Sequence, residues 1–312
     1  MKKSIALLLA LCMILCAFAG CGNSTASAAA SEASAATDTE AASAESAAEE
    51  AAPAEEAAPA EEAAAEDIEL IVFAAASMTE TLTEIAEQYK TVAPNVTLTF
   101  NFDSSGTLLT QIKEGAECDL FISAAPKQMN ALDGTKDADG GNEDGTDMLV
   151  AGSRCDLLEN KVVLAVPEGN PAGIEGYDDL AAKLADGSVF MAMGNSDVPV
   201  GQYTQKILAY YELSEEDLAA AGNITYGSNV KEVTTQVSEA TVDCGIIYAT
   251  DAFSAGLEAI DEATAEMCGQ VIYPASVLNI SSNQEAAQAF LDYLKTADCA
   301  SVFEAVGFTA LS

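Results

Sequence analysis

The sequence LIVFAAAS at residues 70–77 reads as an apolar strand that runs directly into serine and then into a predicted helix at 78–91. A second passage, VTLTFNFDSSG at residues 96–106, has the same arrangement and leads into a predicted helix at 106–114. A serine at a helix start can cap the helix, and the free N–H groups of the first turn point the same way. Such an end can hold a small anion without a cationic side chain. Two of them in one region indicate an oxyanion receptor.

The same alternation of short apolar strands and helices continues to the end of the chain. It predicts an α/β protein with largely parallel sheets. The predicted strands are 69–74, 96–102, 119–123, 162–166, 188–193, 244–248 and 271–279. The predicted helices are 78–91, 106–114, 126–131, 177–186, 199–211, 214–221, 230–239, 251–256, 283–295 and 298–305.

The first 20 residues have the layout of a secretory signal peptide. Lys2-Lys3 precede an apolar run at 5–18, and Ala19-Gly20 precede Cys21. This resembles the lipobox of bacterial lipoproteins, with Phe18 where Leu is usual, and it predicts that Cys21 is lipidated. An ordinary signal peptide with another cleavage point, or an uncleaved anchor, is the alternative.

Residues 21–66 form a predicted tether behind that cysteine. From Gly22 onward they are almost entirely Ala, Ser, Thr, Glu and Pro, and AAPAEE occurs at 51–56 and again at 57–62. Such a composition cannot bury enough apolar surface to offset its ordering entropy, so we predict disorder. The tether would let a globular domain work near the outer face of a membrane.

Charge and composition exclude several classes of function. The formal net charge of −38 disfavours nucleic acid and anionic membrane surfaces as partners, because like charges repel. There is no histidine, which removes Ser-His-Asp catalysis and His-based metal sites. A serine hydrolase that uses Ser77 or Ser105 is therefore a remote alternative, as the chain also lacks a GxSxG or SxxK motif.

The cysteines and the acidic loop predict no metal centre. Five cysteines follow Cys21, an odd number with no CxxC; buried thiols and one or two disulfides both stay open. They are Cys118, Cys155, Cys244, Cys268 and Cys299. The Asp-rich segment 133–147 lacks the spacing of an EF-hand and reads as a solvated loop.

Seven motifs in order make the chain resemble the molybdate-binding proteins of ABC importers, in the lipoprotein form found in Gram-positive bacteria. The resemblance covers residues 68–312. The motifs are VFAAAS (72–77), SSGTL (104–108), DLFISA (119–124), VPVGQY (198–203), NVK (229–231), GIIYATDA (245–252) and GFT (307–309).

The resemblance implies a type II periplasmic-binding-protein fold, in which two lobes joined by two crossover strands enclose a ligand cleft. The crossovers would lie near Val162–Val166 and Val271–Val277. Lobe 1 would comprise 67–160 with 275–312, and lobe 2 would comprise 161–274.

The resemblance also implies the ligand contacts. Ser77 and Ser105 would offer hydroxyl and N–H donors, Val200 and Val230 backbone N–H groups, and Tyr248 its phenol. Relatives often carry Ala at the position of Val200, where a larger side chain would narrow the site. Without the resemblance, the two serines read as helix caps and Tyr248 as a core residue.

A donor-only site suits molybdate, a dianion with four acceptor oxygens and no proton to donate. We therefore expect Asp103 to face away from the site or to cap the following helix. Another tetrahedral oxyanion, such as sulfate or phosphate, and a purely structural surface lipoprotein are the alternatives. Protonated phosphate would need an acceptor in the site.

The implied function is capture of molybdate, and of the nearly isosteric tungstate, for delivery to an ABC permease with its ATPase. The protein would be a lipid-anchored monomer on the extracytoplasmic face of the membrane. It would be no enzyme and would need no cofactor.

Overall fold

The computed structural model describes residues 66–311. The predicted signal peptide, the predicted lipidation site Cys21 and nearly all of the predicted tether lie outside the described residues. The strands are β1 (Ile68–Ala75), β2 (Val96–Asp103), β3 (Leu120–Ile122), β4 (Cys155–Asn160), β5 (Val162–Val166), β6 (Met191–Gly194), β7 (Ile224–Gly227), β8 (Cys244–Tyr248), β9 (Glu258–Glu262), β10 (Val271–Val277) and β11 (Thr309–Ala310).

The helices follow the predicted ones closely, because the longer ones present an apolar stripe at helical spacing. They are α1 (Thr79–Val92), α2 (Ser105–Lys113), α3 (Pro126–Asn130), α4 (Tyr177–Asp186), α5 (Pro199–Tyr210), α6 (Glu215–Ala221), α7 (Val230–Ser238), α8 (Ala249–Ala255), α9 (Ala265–Cys268), α10 (Gln284–Leu294) and α11 (Ala297–Ala305). Only the short α9 was not predicted. None of the helices within 66–311 combines the length and the apolar character needed to cross a membrane.

Two mixed sheets form the two lobes. The first has the strand order β11-β4-β10-β3-β1-β2, and the second has the order β7-β6-β8-β5-β9. The chain passes from the first sheet to the second at Lys161, between β4 and β5, and it re-enters the first sheet at β10. The predicted lobe limits, 67–160 with 275–312 and 161–274, stay a prediction.

The prediction of largely parallel sheets is wrong. β1 is parallel to β2 and β3, and β6 is parallel to β7 and β8, but the pairings of β4, β5, β9, β10 and β11 are antiparallel. The parallel pairs come from strands separated by helices, which bring the chain back to the same edge. The strands on either side of the passages between lobes enter their sheets from the opposite direction.

The sequence pattern does not predict four of the strands, namely β4, β7, β9 and β11. β9 has the sequence EAIDE and is largely exposed, so it shows no alternation of apolar and polar residues. β7 and β11 have only four and two residues. These strands exist because a neighbouring strand supplies hydrogen-bond partners, which local sequence does not encode.

One large buried apolar cluster has residues from both lobes, and a second, smaller cluster lies in the first lobe around Phe73, Leu108 and Phe121. The predicted core stripe of α10, formed by Ala287, Phe290, Leu291 and Leu294, is buried as expected. The five described cysteines are all free thiols, and four of them are buried while Cys155 is half-buried. Within 66–311 no group of three or more acidic or Cys side chains is placed to hold a metal ion, in the 133–147 loop or elsewhere.

Candidate functional site

The predicted site residues follow the carboxyl ends of the parallel strands. Ser77 comes after β1 and Ser105 after β2, while Val200 comes after β6, Val230 after β7, and Tyr248 ends β8. Open α/β sheets bind ligands at this edge, where loops and helix starts meet. The carboxyl ends of the two parallel sets face one another, so residues from both lobes line one cavity.

Ser77 lies in a single 3₁₀ turn, Ala76–Met78, that joins β1 to α1. It caps neither helical segment. The side chain is buried, and its Oγ lies 2.9 Å from the Tyr273 hydroxyl. Tyr273 thus holds the Ser77 side chain beside the cavity, and Ser77 does not act as a helix cap.

Two adjacent serines at the start of α2 have different roles. Ser104 is the N-cap, and its Oγ accepts a hydrogen bond of 3.1 Å from the Thr107 N–H. Ser105 is the first helical residue and is fully buried. Its Oγ accepts a hydrogen bond of 2.9 Å from the Ala124 N–H, and this leaves the hydroxyl hydrogen available for donation.

The second lobe presents two helix starts. Pro199 begins α5 and Val200 follows it, and Val230 begins α7. The N–H groups of such first-turn residues have no intrahelical acceptor. Gly201 allows α5 to start here, because a Cβ at this position would lie 2.3 Å from the carbonyl oxygens of Gly194 and Asn195.

Tyr248 brings a buried hydroxyl to the cavity. Within the described residues its oxygen has no hydrogen-bond partner. Burial raises the pKa of this phenol well above its usual value, so it stays protonated and remains a donor near neutral pH. The ring packs edge-on against Tyr203 and Tyr273, at centroid distances of 6.4 and 5.7 Å. A buried unpaired donor is costly, which indicates a missing acceptor.

The cavity itself is small and offers neutral donors. Its volume is about 10 Å³, whereas pockets for larger organic ligands enclose roughly 300–1,000 Å³. Besides the five predicted residues, the lining comprises Ala75, Ala76, Asp103, Ser104, Ala124, Val198 and Pro199. Among these described residues there is no Lys or Arg, so an anion in the cavity would be held by hydroxyls, amides and helix ends.

The expectation for Asp103 is wrong. This residue lines the cavity and does not cap α2, because Ser104 takes the cap position. Its Oδ1 accepts a hydrogen bond of 2.7 Å from the Ser104 N–H and lies 3.5 Å from the amide nitrogen of Asn229 in the second lobe. The carboxylate is thus engaged by donors of its own surroundings.

The two lobes touch across the cleft, so this is a closed conformation. A Cβ at Gly106 in the first lobe would lie 2.1 Å from the Asp197 carbonyl oxygen in the second. The side-chain amides of Gln128 and Gln202 approach to 3.4 Å, also from opposite lobes. Ligand entry therefore requires the lobes to separate.

Sequence reasoning missed a buried polar network behind Ser77. The amide nitrogen of Asn160 lies 3.1 Å from the Tyr273 hydroxyl and 3.0 Å from Thr250 Oγ1. Asn160 ends β4 at one passage between the lobes, and Tyr273 lies in β10 just after the other. The network therefore connects Ser77 to both passages. The tyrosine in the β10 sequence VIYPASV was the available signal.

Residues 70–309 match the family described as bacterial extracellular solute-binding protein. The chain belongs to this family. Its members are transport components and not enzymes, so the chain is an extracytoplasmic substrate-binding protein of an ABC transporter with the two-lobed periplasmic-binding-protein fold.

Individual relatives agree with this assignment. YvgL of Bacillus subtilis, which is named as an ABC transporter substrate-binding lipoprotein, is 32% identical over 245 residues, 78% of this chain and 87% of YvgL. The molybdate-binding protein ModA of Escherichia coli is 32% identical over 254 residues, 78% of this chain and 90% of ModA. The periplasmic molybdate-binding protein of Azotobacter vinelandii has the same fold, with a TM-score of 0.65 at 20% identity over 78% of this chain and all of that one.

Proposed function

We propose that this solute-binding protein captures molybdate, and tungstate with it, and delivers the anion to an ABC permease with its ATPase. The observation that carries the proposal is the convergence of neutral donors on one small cavity. Ser77, Ser105 and Tyr248 contribute hydroxyls, and Val200 and Val230 contribute N–H groups at helix starts. The name of the ModA relative supports the same ligand.

The chemistry of the ligand matches this donor set. Molybdate has four acceptor oxygens and two negative charges. Each oxygen can therefore accept about two hydrogen bonds, and the ion donates none. Hydrogen bonds to a charged group are worth about 1.5–3 kcal/mol each. Sulfate is smaller, and a cavity of fixed donor geometry discriminates against it through longer and weaker contacts.

A receptor for a protonated oxyanion is the second candidate, and Asp103 is the observation that favours it. Hydrogen phosphate carries a proton and needs an acceptor, and Asp103 is among the residues that line the cavity. We place it second because Oδ1 of Asp103 already accepts from the Ser104 N–H.

Calorimetric titration with four anions separates the two candidates. We expect one-to-one binding of molybdate and of tungstate, with sulfate and phosphate weaker by roughly a hundred-fold or more, about 3 kcal/mol. If phosphate binds more tightly than molybdate, and Asp103→Asn removes that preference, the second candidate is correct. Equal affinity for sulfate contradicts the molybdate assignment.

The proposal also includes the membrane anchor of the receptor, its oligomeric state and its need for a cofactor. Lipidation of Cys21 would anchor it to the membrane of a Gram-positive cell, and the lipoprotein name of YvgL supports this. The receptor would act as a monomer and would need no cofactor, because the ligand itself completes the site. Release of a Cys21→Ser variant from the membrane fraction tests the anchor; retention of that variant contradicts it.

A further inference from the structure

An ion pair crosses the cleft beside the cavity. Lys231, the second residue of α7, places Nζ 2.8 Å from both carboxylate oxygens of Glu80, which lies in the first turn of α1. These helices belong to opposite lobes. Both side chains are partly exposed, with 31% and 50% of their surface accessible. The pair can form only when the lobes are closed.

A buried carboxylate lies behind Lys231. Oδ1 of Asp251, in α8, is 3.1 Å from Lys231 Nζ, and the side chain is completely inaccessible. In the described part of the chain neither carboxylate oxygen has a well-aligned hydrogen bond, so Lys231 is the cation that offsets this buried charge. Although burial opposes the charged form of Lys231, Asp251 and Glu80 together raise its pKa above the usual value. Lys231 is therefore a cation held between two carboxylates.

Each of these three residues adjoins a residue of the proposed site. Glu80 lies three positions after Ser77, Lys231 follows Val230 directly, and Asp251 lies three positions after Tyr248. Movement that brings the Val230 N–H onto an anion held by Ser77 therefore also brings Lys231 onto Glu80. Ligand contact and ion pairing occur in the same closing movement.

We propose that Lys231 and Glu80 form a clasp that holds the lobes closed over the bound oxyanion, with Asp251 as the residue that positions Lys231. This inference rests on the proposed function, and it assigns the clasp a share of the ligand affinity. An interaction made only in the closed state shifts the population toward that state and slows ligand release. It adds affinity without touching the ligand.

A different role for Lys231 would be direct attraction of the anion by its charge. The structure disfavours this, because two carboxylates lie within 3.1 Å of Nζ and leave the cluster with a formal net charge of −1. The two roles predict opposite effects of removing Glu80. Loss of a clasp partner weakens binding, whereas loss of a competing carboxylate would strengthen an attraction between Lys231 and the anion.

The test compares Glu80→Gln with the wild type, using molybdate as the probe. We expect the dissociation constant to rise about 1.4- to five-fold, the range for a partly exposed ion pair. Stopped-flow measurement should place the change in the dissociation rate, with the thermal midpoint of the ligand-free protein unchanged. The difference from the wild type should shrink at high salt.

Lys183→Gln is the matched control. It removes an ion pair of the same length, 2.8 Å to Asp179, that lies within α4 and does not cross the cleft. We expect its molybdate affinity and dissociation rate to equal those of the wild type. Lys231→Gln should weaken binding more than Glu80→Gln, because it also leaves Asp251 without a cation. If Lys231→Gln fails to fold, the comparison of Glu80→Gln with the wild type still tests the clasp.

The outcomes separate the clasp from the function on which it rests. If the wild type binds molybdate while Glu80→Gln binds equally well or more tightly and releases it no faster, the clasp is overturned and the proposed function stands. If the wild type binds no molybdate, the proposed function fails and the clasp fails with it.

Discussion

At the scale of single residues, Tyr248 gives the clearest indication of what the cavity binds. Its hydroxyl is buried and has no partner within residues 66–311, although buried polar groups are nearly always paired. An anion in the cavity would supply the acceptor. The cost of leaving the hydroxyl unpaired in the ligand-free closed form favours the open form, so the ligand drives closure.

Replacement of Tyr248 by Phe should therefore separate binding from folding. We expect molybdate affinity to fall roughly ten- to a hundred-fold, because one hydrogen bond to a charged ligand is lost. The thermal midpoint of the ligand-free protein should not fall, since no internal hydrogen bond is removed. Calorimetry and a melting curve of the same sample measure both quantities; a large drop in the melting temperature with unchanged affinity would mean that Tyr248 is a core residue only.

A site residue can be predicted from the sequence only when the pattern that marks it spans a few neighbouring positions. Serine after an apolar strand and proline before Val200 are visible over a few positions, so Ser105 and the start of α5 could be read from the sequence. The partners of these residues could not. Tyr273 lies 196 positions from Ser77 and Lys231 lies 151 positions from Glu80, and no periodicity connects them.

At the scale of elements, helix starts carry the recognition. α2, α5 and α7 begin at the carboxyl ends of β2, β6 and β7 and direct their first turns toward the cavity. These helices were predictable because each has an apolar face. The short strands β7, β9 and β11 were not, because pairing with a neighbour defines them.

Asp251, near the start of α8, has a carboxyl group whose pKa affects the pH dependence of stability. Burial raises the pKa of Asp251 to about 6 from the usual 3.8, with Lys231 opposing this and Glu80 adding to it. A carboxyl whose pKa is higher in the folded state binds its proton more tightly there. Its contribution to the free energy of unfolding therefore grows as the pH falls through about 6 and is lost as the pH rises through that value.

We accordingly expect Asp251→Asn to change the pH dependence of stability. Between about pH 7.5 and about pH 5, the free energy of unfolding of the wild type should rise relative to the variant by about 1 kcal/mol. Urea denaturation of both proteins at the two pH values measures the difference, and comparison with the variant cancels the general effect of the acidic surface. Parallel pH profiles for the two proteins would show that Asp251 has an ordinary pKa.

At the scale of the whole molecule, the mixed sheets explain how a binding site lies between lobes. The parallel strands place their carboxyl ends at the cleft, and the chain passes between the sheets at Lys161 and again before β10. The network of Ser77, Tyr273 and Asn160 connects the cavity to both passages. Closure, ligand contact and the clasp thus belong to one movement of two lobes.

The proposed function requires that neutral donors from both lobes hold one molybdate ion in this cavity. Anomalous diffraction from crystals of the complex, with X-ray energies on either side of the molybdenum absorption edge, tests it most directly. We expect one molybdenum peak in the cavity, with the molybdate oxygens within hydrogen-bond distance of Ser77, Ser105, Tyr248 and the N–H groups of Val200 and Val230. A peak elsewhere on the protein, or none at saturating molybdate, would contradict it.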